Sequence, residues 1–302
     1  MSHSTGPADD GAAATFGARL AGAMDRHGPL CVGIDPHPAL LERWGLTDDV
    51  DGLRRFSLGV VEALAGQVAA LKPQSAFFER HGSAGVAVLE EVVAATRGTG
   101  TELVVDAKRG DIGSTMDGYA DAYLRDGSPL AGDALTVSPY LGFGSLGPAV
   151  EAASASGRGL FVLALTSNPE GAAVQHARTV AADGAPGESV AGAVAAAAAL
   201  LNAAETARTG APLGSVGLVV GATIGAAART LGVDLTAVGG PLLAPGVGAQ
   251  GAGPAELEDV FGDARRAVLA SVSRGVLGAG PAPADLLAAA RRTADDVARV
   301  LR

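Results

Sequence analysis

Eight short apolar runs, recurring along most of the 302-residue chain, constrain the fold more than any other feature. They are rich in Val, Leu and Ile, and longer Ala-rich stretches separate them. Short continuous apolar runs of this kind are typical of parallel strands that helices cover on both faces. The predicted strands span residues 30–35, 68–73, 102–108, 134–140, 160–167, 216–223, 242–246 and 267–274.

Eight such strands, each followed by room for a helix, favour a closed parallel (β/α)8 barrel, the TIM barrel, over an open sheet. These barrels commonly form one domain of about 250 residues, so a single catalytic domain is expected over residues 13–302. Residues 1–12 are polar, small and aperiodic, which predicts a disordered tail. Residues 168–188, rich in Gly, Pro and Ala, are predicted to form an extended loop.

Composition narrows the functional classes. A formal net charge of −10 argues against a general nucleic-acid binder, although a local pocket can still bind a small anion. The single cysteine, Cys31, excludes an intramolecular disulfide and is predicted to fill the core. No export signal is recognisable, and the Ala-rich stretch 191–204 is shorter than the roughly 20 residues that span a bilayer. A cytoplasmic protein without membrane contact is expected.

Polar residues stand at or just beyond the ends of the predicted strands. Apolar strands do not need such endings for stability, whereas the active sites of (β/α)8 barrels lie at the C-terminal ends of the strands. A site is therefore predicted there, built from Asp35, Lys72, Asp106, Lys108, Ser167 and Arg274.

Segment 104–115 is the most informative of these strand ends. Side chains two residues apart on a strand share a face, so Asp106 and Lys108 are predicted to project together, with Asp111 in the turn beyond. Neighbouring opposite charges favour the ionised forms, so a protonated Lys108 could deliver a proton to a developing carbanion. A structural ion pair at the barrel mouth is the alternative. With Lys72 at the preceding strand end, however, four charges would converge, at a desolvation cost that favours a functional site.

Segment 106–111 resembles the Asp-x-Lys-x-x-Asp signature of the orotidine 5′-phosphate decarboxylase superfamily. The resemblance continues in order through the other strand ends, and segments 72–79 and 106–115 are similar to the longer, actinobacterial-style branch. It implies decarboxylation of orotidine 5′-monophosphate to UMP and CO2, the last step of de novo pyrimidine nucleotide biosynthesis, without cofactor or metal. The matching segments are 33–35, 71–73, 106–115, 166–169, 245–251 and 272–274.

The resemblance also implies catalytic roles. Asp35 and Lys72 would hold ribose hydroxyls and help to orient the charges. Asp106 would face the substrate carboxylate, and Lys108 would protonate C6 after CO2 departs.

Further contacts follow from the same resemblance. Asp111, accompanied by Thr115, would reach into the neighbouring subunit's site, which implies a homodimer. Ser167 would contact the pyrimidine ring. Gln250 and Arg274 would hold the phosphate, helped by backbone N–H groups after Pro245.

Two other functions compete with this interpretation. A 3-keto-gulonate 6-phosphate decarboxylase or hexulose-phosphate synthase would use Mg²⁺ bound near the end of the second strand, where this chain has Lys72, which cannot ligate the ion. A non-catalytic nucleotide sensor would gain nothing from charges clustered near a substrate carboxylate.

Two matches to the dinucleotide-binding pattern G-x-G-x-x-G, at 142–147 and 246–251, lack the acidic residue that should end the next strand. The first is interpreted as a flexible loop and the second as a cradle for one phosphate. The five histidines show no metal-ligand spacing, and His37 and His81 are interpreted as loop residues.

Overall fold

Eight parallel strands close into a barrel in a computed structural model that describes residues 14–180, 184–247 and 252–302. Going round the barrel, the strands follow the order β1-β2-β3-β4-β5-β8-β9-β10. All eight correspond to the predicted strands, with ends that differ by at most three residues, so the predicted (β/α)8 barrel is confirmed. The strands, including a separate hairpin, are β1 Leu30–Ile34, β2 Ala70–Pro73, β3 Glu102–Arg109, β4 Ala134–Val137, β5 Gly159–Leu165, β6 Arg178–Val180, β7 Pro186–Ser189, β8 Val216–Val220, β9 Leu242–Pro245 and β10 Val268–Val272.

Helices surround the barrel, and many are short segments in the connections that follow the strands. Those in the described part of the chain are α1 Phe16–His27, α2 Pro38–Arg43, α3 Val50–Leu64, α4 Ser75–Glu79, α5 Gly82–Thr96, α6 Gly113–Leu124, α7 Gly147–Ser156, α8 Ala172–Gln175, α9 Val190–Thr209, α10 Ala227–Leu231, α11 Pro254–Phe261, α12 Arg274–Leu277 and α13 Pro283–Leu301. Short 3₁₀ helices span Phe143–Leu146, Pro169–Gly171 and Gly262–Ala267.

The barrel interior is filled by side chains and closed at its N-terminal end by α1. Phe16 of α1 packs edge-on against Phe161 of β5, with ring centroids 5.9 Å apart. A Cβ at Gly159 would lie 2.0 Å from the Phe16 ring, so only glycine admits the ring at this position. Cys31 belongs to this inner core and is fully buried, as predicted. The barrel interior is therefore a packed core that α1 covers at one end.

Residues 168–188 are not the extended loop that their composition predicts. The described residues form the 3₁₀ turn Pro169–Gly171, α8, and the antiparallel hairpin of β6 and β7. β6 is exposed along its whole length, so it lacks the alternation of buried and exposed residues that marks a strand in sequence. Likewise, residues 142–147 are not a flexible loop, since the 3₁₀ helix Phe143–Leu146 leads directly into α7.

The Ala-rich stretch is longer than expected. Helix α9 has 20 residues and a mean hydropathy of 1.4, so by length and composition alone it is long enough to cross a membrane. Its buried face, which includes Val194, Ala198 and Asn202, packs against β5 and β8. The Asn202 side-chain amide donates hydrogen bonds of 2.8 Å to the carbonyls of Val216 and Val238. These contacts make α9 part of the layer of helices that packs around the barrel.

Candidate active site

The C-terminal ends of the barrel strands surround a cavity of about 800 Å³. Most of the predicted site residues come from strand ends that meet here, although they lie far apart in the sequence. Asp111 and Thr115 do not line the cavity, and Gln250 and the predicted tail, residues 1–12, lie outside the described residues. The predicted residues that line it are Asp35, Lys72, Asp106, Lys108, Ser167, Pro245 and Arg274.

The carboxylate of Asp106 joins the two lysines. Lys72 Nζ donates to Asp106 Oδ2 at 2.7 Å, and Lys108 Nζ donates to Asp106 Oδ1 at 2.6 Å. The two lysines differ in exposure, because the Lys72 side chain is 7% exposed and that of Lys108 is 43% exposed. Lys72 is therefore a buried partner of Asp106, whereas Lys108 has a free side toward the cavity.

The opposite charges of Asp106 and the two lysines stabilise each other's ionised forms. Burial opposes ionisation of Asp106, but the ammonium groups of Lys72 and Lys108 outweigh it and hold the pKa of Asp106 below its usual range. Burial also opposes the charge of Lys72, yet Asp106 and then Asp35 raise the pKa of Lys72 above its usual value. The cavity therefore contains a fixed alternation of negative and positive groups.

The backbone between Asp106 and Lys108 is not a regular strand. Val105 pairs with Leu135 and Arg109 pairs with Val137, so three residues of β3 lie opposite one residue of β4. Within this bulge Lys108 has a φ of 48°, in the left-handed region that side chains other than glycine rarely adopt. The two side chains meet as predicted, but through a bulge with strained backbone instead of simple strand alternation.

The β4 residue opposite the bulge is Thr136, which the sequence reasoning missed. Its hydroxyl accepts a 2.9 Å hydrogen bond from the Lys108 backbone N–H and donates one of 2.9 Å to Asp106 Oδ1. Thr136 is 1% exposed. A lone threonine in an apolar strand carries no recognisable motif, so only the register of the two strands could have identified it.

Asp35 offers an acceptor that no described group satisfies. Its Oδ1 is buried and has no hydrogen-bond partner among the described residues, while the residue itself lines the cavity. A Cβ at Gly33 would lie 2.1 Å from Ser273 Oγ and 3.0 Å from Asp35 Oδ2. Gly33 therefore lets β1 and the end of β10 approach closely enough to hold Asp35 at the cavity wall.

Two arginines, Arg43 of α2 and Arg274 of α12, line another part of the cavity. No described residue forms an ion pair or a hydrogen bond with either guanidinium. A Cβ at Gly278 would lie 3.2 Å from Arg43 Nη1 and 2.9 Å from the Arg274 carbonyl oxygen, which places Arg43 beside α12. Arg43 was not predicted, because it is the last residue of the short helix α2 and does not stand at the end of a predicted strand.

His37 and His81, the two histidines interpreted as loop residues, differ in their relation to the cavity. His37 lines the cavity, but its ring nitrogen also accepts a hydrogen bond from the Ala39 N–H and caps α2, so it has a structural task. Phe77 forms part of the wall, with its ring centroid 6.0 Å from that of His37. Phe78 is buried in the core. His81 is not among the described residues that line the cavity.

Asp111 precedes α6 and is partly exposed, and Thr115 lies in the first turn of α6 and is exposed. Asp111 Oδ1 accepts a hydrogen bond of 2.8 Å from the Ile112 N–H. Ile112, Tyr140 and Leu141, on the loops after β3 and β4, are large apolar residues that are each more than half exposed. Within the described residues, no group of three or more His, Cys, Asp or Glu side chains is arranged to hold a metal ion.

The closed parallel barrel and the charged array at the ends of its strands define a (β/α)8-barrel enzyme. The model of the orotidine 5′-phosphate decarboxylase / HUMPS family matches residues 28–290. The chain belongs to this family.

Curated relatives are similar over nearly their whole length. The orotidine 5′-phosphate decarboxylases of Streptomyces coelicolor and Salinispora arenicola are 60% and 59% identical, over 93% of this chain and 96% of each relative. A crystal structure from Streptomyces avermitilis, provisionally assigned the same activity, has a TM-score of 0.87 at 59% identity, over 96% of this chain and 97% of that one. The OMP decarboxylase of Leishmania donovani has a TM-score of 0.69 at 29% identity, covering 95% and 98%.

Proposed function

We propose that this chain decarboxylates orotidine 5′-monophosphate to UMP and CO2, the last step of de novo pyrimidine nucleotide biosynthesis, and that Lys108 donates the proton. The observation that carries the assignment of the acid is the difference between the two lysines bound to Asp106. Lys108 is 43% exposed toward the cavity and Lys72 only 7%, so Lys108 is the ammonium that a ligand can reach.

The reaction balances without a cofactor. The bond between C6 and the carboxylate carbon breaks, CO2 leaves, and the electron pair remains on C6. An N–H of Lys108 then protonates C6, and water restores the proton to the amine. At about 4 Å and an effective dielectric near 20, one charge contact is worth roughly 4 kcal/mol, or about three powers of ten in rate. Such contacts must be combined with binding energy from the rest of the nucleotide.

The remaining lining residues fit the other parts of such a nucleotide. The unsatisfied Asp35 Oδ1 suits a ribose hydroxyl, which is a hydrogen-bond donor. The guanidiniums of Arg274 and Arg43 have no ionic partner among the described residues. They suit the phosphate, because a guanidinium is a planar donor that binds phosphate oxygens well. Ser167, after β5, suits the pyrimidine ring.

Assembly as a homodimer belongs to the same proposal. Asp111 and Thr115 lie outside their own cavity, and the exposed Ile112, Tyr140 and Leu141 provide an adjoining apolar surface. A second copy packed on this surface would place Asp111 beside the other cavity. We also propose a cytoplasmic location, where a nucleotide substrate is made.

The test is the loss of pyrimidine absorbance when purified protein meets orotidine 5′-monophosphate in EDTA. Lys108→Ala should abolish turnover, and so should Lys108→Arg, which keeps the positive charge beside Asp106 but cannot readily donate a proton. Arg125→Ala, which removes an exposed pair with Asp121, is the matched control. A folded wild-type protein without turnover would refute the proposal, and added Mg²⁺ or direct ligand binding would then separate the sugar-phosphate and sensor functions.

Mixing two inactive variants tests whether Asp111 contributes to the cavity of the partner subunit. In a mixed dimer of Asp111→Ala and Lys108→Ala subunits, one site keeps both Lys108 and the partner's Asp111. Random exchange should therefore restore about one quarter of the wild-type activity. If Asp111 acts within its own subunit, mixing restores nothing.

A further inference from the structure

The bulge in β3 places the amide of Lys108 where the regular ladder has no partner for it. Between the pairs Val105–Leu135 and Arg109–Val137, β4 supplies a single residue, Thr136, opposite three residues of β3. The Lys108 N–H is satisfied instead by the Thr136 hydroxyl, at 2.9 Å. A side chain of β4 thus replaces the missing backbone acceptor.

The hydrogen bond from the Lys108 N–H determines where the hydrogen of the Thr136 hydroxyl can point. A backbone N–H can only donate, so the hydroxyl oxygen accepts from Lys108 and its hydrogen is free to point to Asp106 Oδ1, 2.9 Å away. Oδ1 also receives the Lys108 ammonium at 2.6 Å. The hydroxyl therefore links the strained backbone of Lys108 to the oxygen that binds the Lys108 ammonium.

We propose that Thr136 is a positioning residue that acts through Lys108 and Asp106, and that its hydroxyl holds the proton donor in its working geometry. The residue is 1% exposed and is not among those lining the cavity, so it has no direct contact to offer a substrate. Lys108 has a φ of 48°, a conformation that lysine adopts only where surrounding contacts enforce it. This inference rests on the proposed function.

Replacing Thr136 by valine keeps the shape and removes both hydrogen bonds. Thr136→Val should lower kcat about 10- to 100-fold, while KM changes less than about threefold, because the substrate-binding groups stay in place. Thr136→Ser, which keeps the hydroxyl, should recover kcat to within about threefold of wild type. A purely structural role would not produce this separation of kcat from KM or this rescue.

Thr101 provides a matched control on the same side of the barrel wall. It precedes β3 at the opposite end, is 4% exposed, accepts a 2.8 Å bond from the Gly66 N–H and donates a 2.7 Å bond to the Val68 carbonyl. Thr101→Val removes an equivalent pair of hydrogen bonds far from the cavity. Thr101→Val should lower thermal stability about as much as Thr136→Val does, but it should leave kcat within about twofold of wild type.

The outcomes separate the two proposals. If wild type does not decarboxylate the nucleotide, the proposed function fails. If wild type is active but Thr136→Val keeps kcat within about twofold, or Thr136→Ser is as slow as Thr136→Val, the positioning role fails. If Thr136→Val does not fold, Thr136→Ala and Thr136→Ser give the same comparison, with the loss of kcat expected only in the alanine variant.

Discussion

Arg19 and Glu102 form a two-point ion pair at the end of the barrel opposite the cavity. Arg19 Nε donates to Glu102 Oε1 at 3.3 Å, and Nη2 donates to Oε2 at 3.1 Å. The pair fastens α1, which closes the barrel, to the first residue of β3. Burial, and then the nearby carboxylate of Asp133, raise the pKa of Glu102 to about 7 despite the guanidinium.

This raised pKa predicts a pH-dependent stability. The folded value of about 7 exceeds the ordinary 4.5, so the native state binds the proton more tightly than the unfolded chain. The resulting stabilisation is fully present below about pH 4.5 and is lost as the pH rises to about 7. From about pH 5 to about pH 8, the unfolding free energy of wild type should therefore fall by about 1–3 kcal/mol relative to Glu102→Gln.

Urea denaturation of both proteins across this range measures the difference. Glu91→Gln is the control, since it removes a similar two-point pair with Arg54 whose side chains are 42% and 41% exposed. Solvent screens such an exposed pair. The difference in unfolding free energy between wild type and Glu91→Gln should therefore change little with pH. A flat difference between wild type and Glu102→Gln would contradict the prediction.

Removal of the Asp106 carboxylate should destabilise the fold as well as abolish activity. Asp106→Asn leaves the buried Lys72 ammonium without its ionic partner, at a cost of about 3–5 kcal/mol in the unfolding free energy. Asp48→Asn, which breaks the half-exposed pair with Arg80, should cost less than about 1 kcal/mol. Denaturant titration distinguishes the two. Equal losses would mean that the buried array contributes no more than a surface pair.

Arg274 and Arg43 should strengthen the binding of ligands that carry a phosphate. Arg274→Met is expected to weaken binding of UMP about 10- to 100-fold, because a charge-assisted contact to phosphate is lost. Arg43→Met should weaken it about 3- to 10-fold. Uridine, which lacks the phosphate, should bind all three proteins alike in calorimetric titrations. A parallel loss of uridine affinity would show a general disturbance of the cavity instead of a phosphate contact.

The only thiol should report unfolding. Cys31 is fully buried, and burial raises its pKa to about 12, so the reactive thiolate is scarce in the native protein. We expect a disulfide reagent such as Ellman's to react at least about 100-fold more slowly with native protein than with urea-unfolded protein. Fast labelling of the native state would show that the barrel interior opens, and the matched Cys31→Ser variant supplies the blank.

The strands were predictable because parallel strands buried on both faces must be apolar throughout, and the polar ends of those strands marked the cavity. Asp35, Lys72, Asp106 and Lys108 could be identified in this way. The hairpin of β6 and β7 could not, because its exposed residues are under no such constraint.

The bulge in β3 could not be predicted either, because an Asp-x-Lys pattern gives no sign that the lysine adopts a left-handed backbone conformation. Thr136 and Arg43 become significant only through contacts between segments that are distant in sequence. Their positions depend on strand register and helix packing, which a single sequence does not display.

Both ammonium groups bound to Asp106 belong to the only lysines in the chain, because 20 of its 22 basic residues are arginine. Every side-chain amine of the protein is therefore in the cavity. Incorporation of lysine labelled with ¹⁵N in its side chain would give two side-chain signals, both from the cavity and without background from the rest of the barrel. The protonation of the site could then be followed directly in the intact protein.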